Sequence, residues 1–299
     1  MTVRSAGPAP DAPGSPASNG PTDGDAPDAP RPGAAFAAHA RLWGEGAPER
    51  LARLRVCVVG IGGVGSWAVE ALARAGVGHI TMVDHDDVDT GNVNRQLHAF
   101  PDTVGRSKVE LMAERVRRIN PGCEAVATDD FLSTTNLEAH LGAGFDAVID
   151  AIDSIRFKAA TIAFCRARRV TVVTTGGAGG RVDPLAVSVG DLSRTWNDAL
   201  AAKVRQRLRA EHGFPANPRR RFGVDCVWST EQPVFPDGRG GVTHAKPGAA
   251  GVRLDCDTGY GSVGWVTATF GLVAASRVVN RLLDPERVPR PPPSGRRIL

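Results

Sequence analysis

A glycine loop set between an apolar run and an amphipathic segment limits how residues 55–84 can fold. Arg55–Val59 predicts a strand buried on both faces. The apolar spacing in Trp67–Ala75 predicts a helix that ends at Gly76, and His79–Asp84 predicts a second strand. A strand, loop, helix and strand in so short a stretch predict two parallel strands.

The alternation of helices and strands continues along the chain. We predict helices at Ser107–Ile119 and Ile155–Arg168, and strands at Phe145–Asp150 and Val170–Thr175. A glycine-rich loop, Gly176–Gly180, follows the last of these strands. The predicted fold is therefore α/β, with a doubly wound, Rossmann-like and mostly parallel sheet.

The second half of the chain is expected to extend the same sheet. It predicts strands at Leu185–Val189 and Val224–Trp228, and a basic helix at Asp198–Ala210. Residues Thr258–Ser276 carry no charge but include several Gly, Ser and Thr residues, and they are barely long enough to cross a bilayer. We therefore predict a buried core helix there and no membrane span.

The cysteines indicate the cellular compartment, and the composition of the termini indicates which residues are expected to fold. The five cysteines are odd in number and widely spaced, which is typical of a reducing compartment, and we expect a cytoplasmic protein. No CxxC pair occurs, which argues against a four-thiolate structural zinc site. Residues 1–32 and 286–299 are rich in Pro and poor in apolar runs, and we predict disordered tails there.

The glycine loop also predicts a nucleotide site. Gly60, Gly62 and Gly65 have the G-x-G-x-x-G spacing, with an additional glycine at Gly63. Such glycines allow a tight turn, close approach of backbone N–H groups to a phosphate, and close packing of helix on strand. Asp84, at the end of the next strand, is placed to bind ribose hydroxyls.

Three charged residues indicate which nucleotide is bound, since the glycine spacing alone also suits a dinucleotide. Arg95 and Lys108 follow the second strand, and Asp153 follows the strand that ends at Asp150. Two cations and a carboxylate suit a triphosphate with Mg²⁺ better than they suit hydride transfer. Taken singly, Arg95 and Lys108 are equally explained as surface charges, and Asp153 as a helix N-cap.

Five motifs in order, G-x-G-G-x-G, D-x-D, N-x-N-R-Q, G-x-x-K and D-A-I-D, resemble the adenylation core of ubiquitin-activating enzymes and the ThiF/MoeB sulfur-carrier adenylyltransferases. The resemblance implies a homodimer in which an N-terminal arginine, here Arg41, reaches the partner's site. It also implies that Asp153 coordinates Mg²⁺ and that Arg95, Lys108 and Asp153 are the catalytic residues. The nucleotide-binding set it implies is Arg41, Gly60, Gly62, Gly63, Gly65, Asp84, Asp86, Asn92, Arg95, Gln96 and Lys108.

Further segments narrow the resemblance. The zinc-binding CxxC pairs of the sulfur-carrier enzymes are missing, and the chain carries Thr174–Gly180, Leu200–Lys203 and Val224–Glu231. In this combination, from about Ala40 to Leu283, it resembles the tRNA threonylcarbamoyladenosine dehydratase branch. The implied reaction is AMP-forming: ATP adenylates a carboxylate of the modified tRNA nucleoside, which then cyclises with net loss of water. The alternatives are activation of the C-terminus of a ubiquitin-like or sulfur-carrier protein, and an NAD(P)-dependent oxidoreductase.

The domain prediction follows from this resemblance. We predict one adenylation domain at 33–285, with a nucleotide-binding half at 50–180 and a substrate-side half at 181–285. Basic segments of the second half are expected to contact tRNA phosphates, namely Lys203, Arg205, Arg207, Arg209 and Arg219–Arg221.

Two features of the substrate side stay open. Cys226 is either a reactive thiol serving a cysteine-desulfurase or sulfur-acceptor partner, as the resemblance suggests, or an ordinary buried cysteine. The Gly176–Gly180 loop either binds a monovalent cation or leaves room for the modified base.

Overall fold

The computed structural model describes residues 34–245 and 261–284, together with the single residue Thr2. Nearly all of the tail predictions, for 1–32 and 286–299, therefore fall outside the described residues. The chain divides into two units, Met1–Ala35 and Phe36–Leu299, and the whole main sheet lies in the second. Among the described residues, no helix is long and apolar enough to cross a membrane.

Seven strands form the main sheet, in the order β3-β2-β1-β4-β5-β7-β6. All neighbouring pairs are parallel except β6 and β7, which are antiparallel. A two-stranded hairpin, β8 with β9, lies apart from it. The strands are β1 Arg55–Val59, β2 His79–Asp84, β3 Glu124–Asp129, β4 Ala147–Asp150, β5 Thr171–Thr175, β6 Val187–Asp191, β7 Asp225–Ser229, β8 Phe235–Pro236 and β9 Val242–Thr243.

Helices cover both faces of this sheet. Side chains of α3, α4 and α8 enter one apolar cluster, and those of α5, α6 and α7 enter the other. Within the first cluster, α8 crosses α3 so closely that a Cβ atom on Gly271 would lie 2.3 Å from the carbonyl oxygen of Val64. The helices are α1 Ala40–Trp43, α2 Ala47–Arg53, α3 Gly65–Arg74, α4 Lys108–Ile119, α5 Leu137–Leu141, α6 Ile155–Ala167, α7 Ala199–Glu211 and α8 Gly264–Leu283.

The predicted doubly wound, mostly parallel sheet is confirmed, with β6 and β7 as its C-terminal extension. The bounds of β1 and β2 agree with the prediction, because both strands are apolar runs with defined ends. The strand predicted at Leu185–Val189 begins later. Asp183 accepts a hydrogen bond from the Leu185 N–H and caps a short 3-10 helix, Pro184–Ala186, before β6 begins.

Other predicted bounds also shifted, and six elements of the described residues were not predicted, namely α1, α2, α5, β3, β8 and β9. The final helix begins at Gly264 and continues to Leu283, beyond the uncharged stretch on which it was predicted. Strand β3 lies at the sheet edge with alternate residues exposed, so it lacks an apolar run. Helix α5 was likewise missed.

Candidate nucleotide-binding active site

The glycine loop joins β1 to the N-terminus of α3. Gly60 has φ +86°, a left-handed conformation that disfavours a side chain, and a Cβ atom there would lie 2.9 Å from the carbonyl oxygen of Ala151. On Gly65, a Cβ atom would lie 1.7 Å from the carbonyl oxygen of Gly60. The first and last glycines therefore set the turn and the packing of helix on strand. The N-cap residue of α3, Val64, makes no side-chain hydrogen bond to the first N–H groups of the helix, which leaves them able to bind an anion.

Asp84 is fixed at the carboxyl end of β2 beside this loop. Its Oδ2 accepts a hydrogen bond from the Ile61 N–H at 2.5 Å, and its Oδ1 accepts one from the Asp86 N–H at 3.0 Å. These two bonds hold the carboxylate next to the glycine loop and orient both of its oxygens. The predicted binding of ribose by Asp84 stays a prediction.

Lys108 reaches the same edge of the sheet from the first residue of α4. Its side chain is 6% exposed, and Nζ lies 2.7 Å from Asp86 Oδ2. The Lys108 backbone N–H also donates to the Asp86 carbonyl at 3.2 Å. Lys108 is therefore no loose surface charge, because it is almost buried and Asp86 is its counter-ion.

Arg95 lies over the glycine loop from the other side. Its Nη1 donates to the Gly91 carbonyl at 2.6 Å and to Asn94 Oδ1 at 3.0 Å. Its aliphatic stem contacts Gly63, where a Cβ atom would lie 3.2 Å from Arg95 Cγ. The Trp67 indole N–H donates to the Arg95 carbonyl at 3.1 Å, which ties the residue to α3.

Two polar residues of the same segment are buried. Asn92 Oδ1 accepts the Asp89 N–H at 3.1 Å within a capping box, so its oxygen has a structural role. The Gln96 side chain is directed at the glycine loop, with Nε2 3.8 Å from a Cβ position on Gly62. Within the described residues, the buried Gln96 Oε1 has no hydrogen-bond partner. A polar ligand in the loop would supply one.

Asp153 follows β4 in the segment that contacts Gly60. Its side chain is exposed. The N-cap of α6 is Ser154, so the capping alternative for Asp153 is wrong. An exposed carboxylate oxygen beside a phosphate site is the kind of ligand that Mg²⁺ prefers.

A buried ion pair behind this segment was not predicted. Lys158 Nζ lies 3.1 Å from Asp150 Oδ2, and both side chains are at most 2% exposed. The same Nζ donates to the carbonyls of Asp150 at 3.1 Å and Ile152 at 2.9 Å, and Thr174 Oγ1 donates to Asp150 Oδ2 at 2.7 Å. Burial raises the pKa of Asp150, whereas Lys158 lowers it. The pair fixes the backbone that leads to Asp153.

Of the described residues, one group of three brings metal-ligating atoms within 4.8 Å of one another: Asp84, His85 and Asp86. Asp153 is not part of it. Asp84 is already engaged with backbone N–H groups and Asp86 with Lys108, so this group is better explained by the nucleotide-binding geometry than as a separate metal centre.

Arg41 lies far from the glycine loop of its own chain. It is exposed on α1, where the neighbouring Trp43 donates its indole N–H to Asn280 near the C-terminus of α8. The glycine loop instead contacts Thr267, thirteen residues earlier on α8, which corresponds to about 20 Å along the helix. Arg41 therefore lies near the C-terminal end of α8, whereas the glycine loop of the same chain lies near the N-terminal end of that helix.

The Cys226 thiol is fully buried in β7. Burial, and then the neighbouring Asp198, raise its pKa well above the usual value. A thiolate is therefore disfavoured, and the geometry favours the interpretation of Cys226 as an ordinary buried cysteine.

Comparisons with known proteins place this arrangement in a family. The model of the ThiF family matches residues 36–296. A tRNA threonylcarbamoyladenosine dehydratase of Escherichia coli K12 is 51% identical over 249 residues, covering 83% of this chain and 93% of that protein. The chain belongs to the ThiF family, within its tRNA threonylcarbamoyladenosine dehydratase branch.

A further relative of this ThiF-family chain and a solved structure agree. A dehydratase of the same name from Haemophilus influenzae is 47% identical over 239 residues, covering 79% of this chain and 89% of that protein. A crystal structure of the E. coli dehydratase in complex with ATP is 47% identical with a TM-score of 0.73, covering 83% of this chain and 93% of that one. The resemblance inferred from the five motifs is confirmed.

Proposed function

We propose that this chain is the ATP-dependent dehydratase that adenylates the carboxylate of threonylcarbamoyladenosine in tRNA and cyclises it. The observation that supports this most directly is that Arg95 and the segment leading to Asp153 contact the glycine loop, while Lys108 pairs with Asp86 at the same edge of the sheet. Relatives of the same name, one of them solved with ATP, support the same reaction. We also propose a cytoplasmic location, where tRNA is available to such an enzyme.

The site's own residues would act by binding and charge neutralisation. The glycine loop and the N-terminus of α3 would hold phosphates, and Asp84 the ribose. Arg95 and Lys108 would balance the charge that grows as a substrate carboxylate oxygen attacks the α-phosphorus and pyrophosphate leaves. Asp153 would hold Mg²⁺, which neutralises phosphate charge. A monovalent cation near Gly176–Gly180 is a further proposal that rests on the sequence.

The second step needs no catalytic nucleophile from the protein. The acyl adenylate is attacked by a group already on the same nucleoside, and intramolecular reactions of this kind gain strongly from proximity. AMP leaves with one former carboxylate oxygen, so the nucleoside loses one water. Cys226 takes no part in this proposed chemistry because its thiol is buried.

The test combines mass and isotope measurements. The enzyme is given ATP, Mg²⁺ and tRNA whose threonylcarbamoyladenosine carboxylate carries ¹⁸O. We expect a nucleoside lighter by one water and one ¹⁸O atom in the AMP. AMP formation that requires a small carrier protein instead of tRNA would contradict the proposal and favour the sulfur-carrier alternative.

Variants test the proposed residues. Lys108→Ala and Asp153→Ala should abolish turnover while the circular dichroism spectrum is kept. Arg118→Gln and Glu49→Gln, which change exposed charges elsewhere, should retain wild-type rates. Wild-type turnover in either active-site variant would show that the phosphate site has been misplaced.

We further propose a homodimer in which Arg41 enters the partner's site, because Arg41 lies at the far end of α8 from its own glycine loop. Mixing inactive Arg41→Ala and Lys108→Ala proteins should then restore roughly a quarter of the activity, since mixed dimers carry one intact site. No recovery, with subunit exchange confirmed by mass, would contradict an arginine acting across the dimer.

A further inference from the structure

Trp196 is a large aromatic side chain left half-exposed next to the substrate side. It is 52% exposed and lies in the short segment between β6 and α7. Its ring meets the buried Trp228 ring edge-on, with the centroids 5.1 Å apart. The Trp196 ring is thereby packed against the core while much of its side chain is accessible to solvent.

The backbone around Trp196 is tightly held. Arg205 donates to Thr195 Oγ1, and Arg181 donates to the carbonyl of Asn197. Asn197 has φ +53°, a conformation that non-glycine residues adopt at a cost, and its side chain donates to the Thr230 carbonyl at 2.9 Å. These contacts fix the residues on both sides of the exposed tryptophan, so its position on the surface is well defined.

This tryptophan lies on the same edge of the sheet as the active site. Trp228, its partner, is in β7, and its Cβ lies 3.2 Å from a Cβ position on Gly176, which directly follows β5. β7 is two strands from β4, whose carboxyl end leads to Asp153. Two strand spacings amount to about 10 Å, a span that neighbouring nucleotides of one RNA loop can bridge.

An arginine-rich surface continues from Trp196 away from the glycine loop. Arg194, two residues earlier, donates to the Arg219 carbonyl at 2.9 Å and so joins the Arg219–Arg221 run. Arg209 lies over the ring of Phe222 at 5.2 Å. Among the described residues, none of these arginines forms a salt bridge. Their charge is thus available to a polyanion.

We propose that Trp196 stacks on an unpaired base of the RNA substrate, next to the nucleoside whose carboxylate is adenylated, while Arg194 and Arg219–Arg221 bind adjacent phosphates. This inference rests on the proposed function. Proteins that recognise single-stranded RNA stack splayed bases on aromatic rings and hold the backbone with cations. A protein tail, the substrate of the alternative function, has neither bases nor a continuous phosphate charge.

The test measures binding of a fluorescently labelled anticodon stem-loop RNA by anisotropy. Trp196→Ala should weaken binding about 5- to 150-fold, the range reported by alanine substitution of stacking residues, and Trp196→Phe should restore most of it. Affinity for ATP should be unchanged in both variants, because Trp196 packs on β7, two strands away from β4 and the segment leading to Asp153. A fully paired RNA duplex should bind without any dependence on Trp196, since its bases stay stacked.

Charge variants separate phosphate contacts from stacking. Arg220→Gln should weaken binding of both RNAs and reduce the salt dependence, whereas Arg118→Gln, an exposed arginine on α4, should do neither. Wild-type affinity of Trp196→Ala for the stem-loop would overturn the stacking proposal even if the enzyme dehydrates tRNA. If the wild-type enzyme neither binds nor dehydrates tRNA, the proposed function fails, and this inference fails with it.

Discussion

Replacing Lys158 by methionine should lower the free energy of unfolding by about 3–5 kcal/mol, because it leaves the buried Asp150 carboxylate without its cation. Methionine fills a similar volume, so the loss is mainly electrostatic. The carbonyls of Asp150 and Ile152 also lose a donor, which adds to the cost. The exposed Lys203→Met is the matched control and should change stability by less than about 0.5 kcal/mol.

A double-mutant cycle measures the interaction free energy between Lys158 and Asp150. Asp150→Asn removes the charge that Lys158 compensates, so the Lys158→Met/Asp150→Asn protein should be more stable than the sum of the single changes predicts. Urea unfolding followed by tryptophan fluorescence gives each value, provided the slope with denaturant is unchanged.

The pH dependence gives an independent check. In Lys158→Met, burial still raises the pKa of Asp150 while the cation that lowered it is gone. A carboxyl whose folded-state pKa lies above its unfolded value destabilises the fold increasingly as pH rises between the two. The loss of stability in Lys158→Met, relative to the wild type, should therefore become smaller as pH falls from 7 toward 5. A deficit below about 1 kcal/mol at pH 7, or additive effects in the cycle, would refute the interpretation of Lys158 and Asp150 as a structural ion pair.

Three further predictions follow from single positions. Gly65→Ala should abolish ATP binding in titration calorimetry or prevent folding, because its Cβ would lie 1.7 Å from the Gly60 carbonyl oxygen; normal ATP affinity would contradict the packing described. Burial and then Lys108 lower the pKa of His98 to about 4, so stability should fall by about 3 kcal/mol as pH drops from 6.5 to 4, and His98→Leu should flatten that part of the profile. Cys226 should resist iodoacetamide in the native protein by peptide mapping, and Cys226→Ala should keep its activity; rapid alkylation would revive the reactive-thiol interpretation.

Local sequence was sufficient for β1, β2 and the glycine loop, since each combines an apolar run with glycines whose spacing has a direct physical cause. It was insufficient for β3, whose Glu124–Asp129 residues alternate between solvent and sheet at an edge. Edge strands need fewer apolar residues, so their pattern is weaker.

At the site, too, the sequence was sufficient to predict some residues and insufficient for others. Arg95, Lys108 and Asp153 follow strands whose ends share one edge, so the sheet topology brings them near the loop. Lys158 could not be placed in this way, because a lysine within a helix is normally exposed and its partner Asp150 lies on a strand. Likewise, the support of Trp196 by Trp228 is a contact across 32 residues, which no local pattern indicates.

The pairing of Lys108 with Asp86 has a consequence for turnover. Lys108 already pairs with the Asp86 carboxylate at 2.7 Å. The phosphates of a nucleotide must therefore compete with Asp86 for this lysine. A triphosphate has the charge to win that competition. After pyrophosphate departs, AMP retains a single phosphate, and we expect Asp86 to recapture the lysine and so favour release of the product. Re-formation of this ion pair would therefore return the site to the state in which it binds the next ATP.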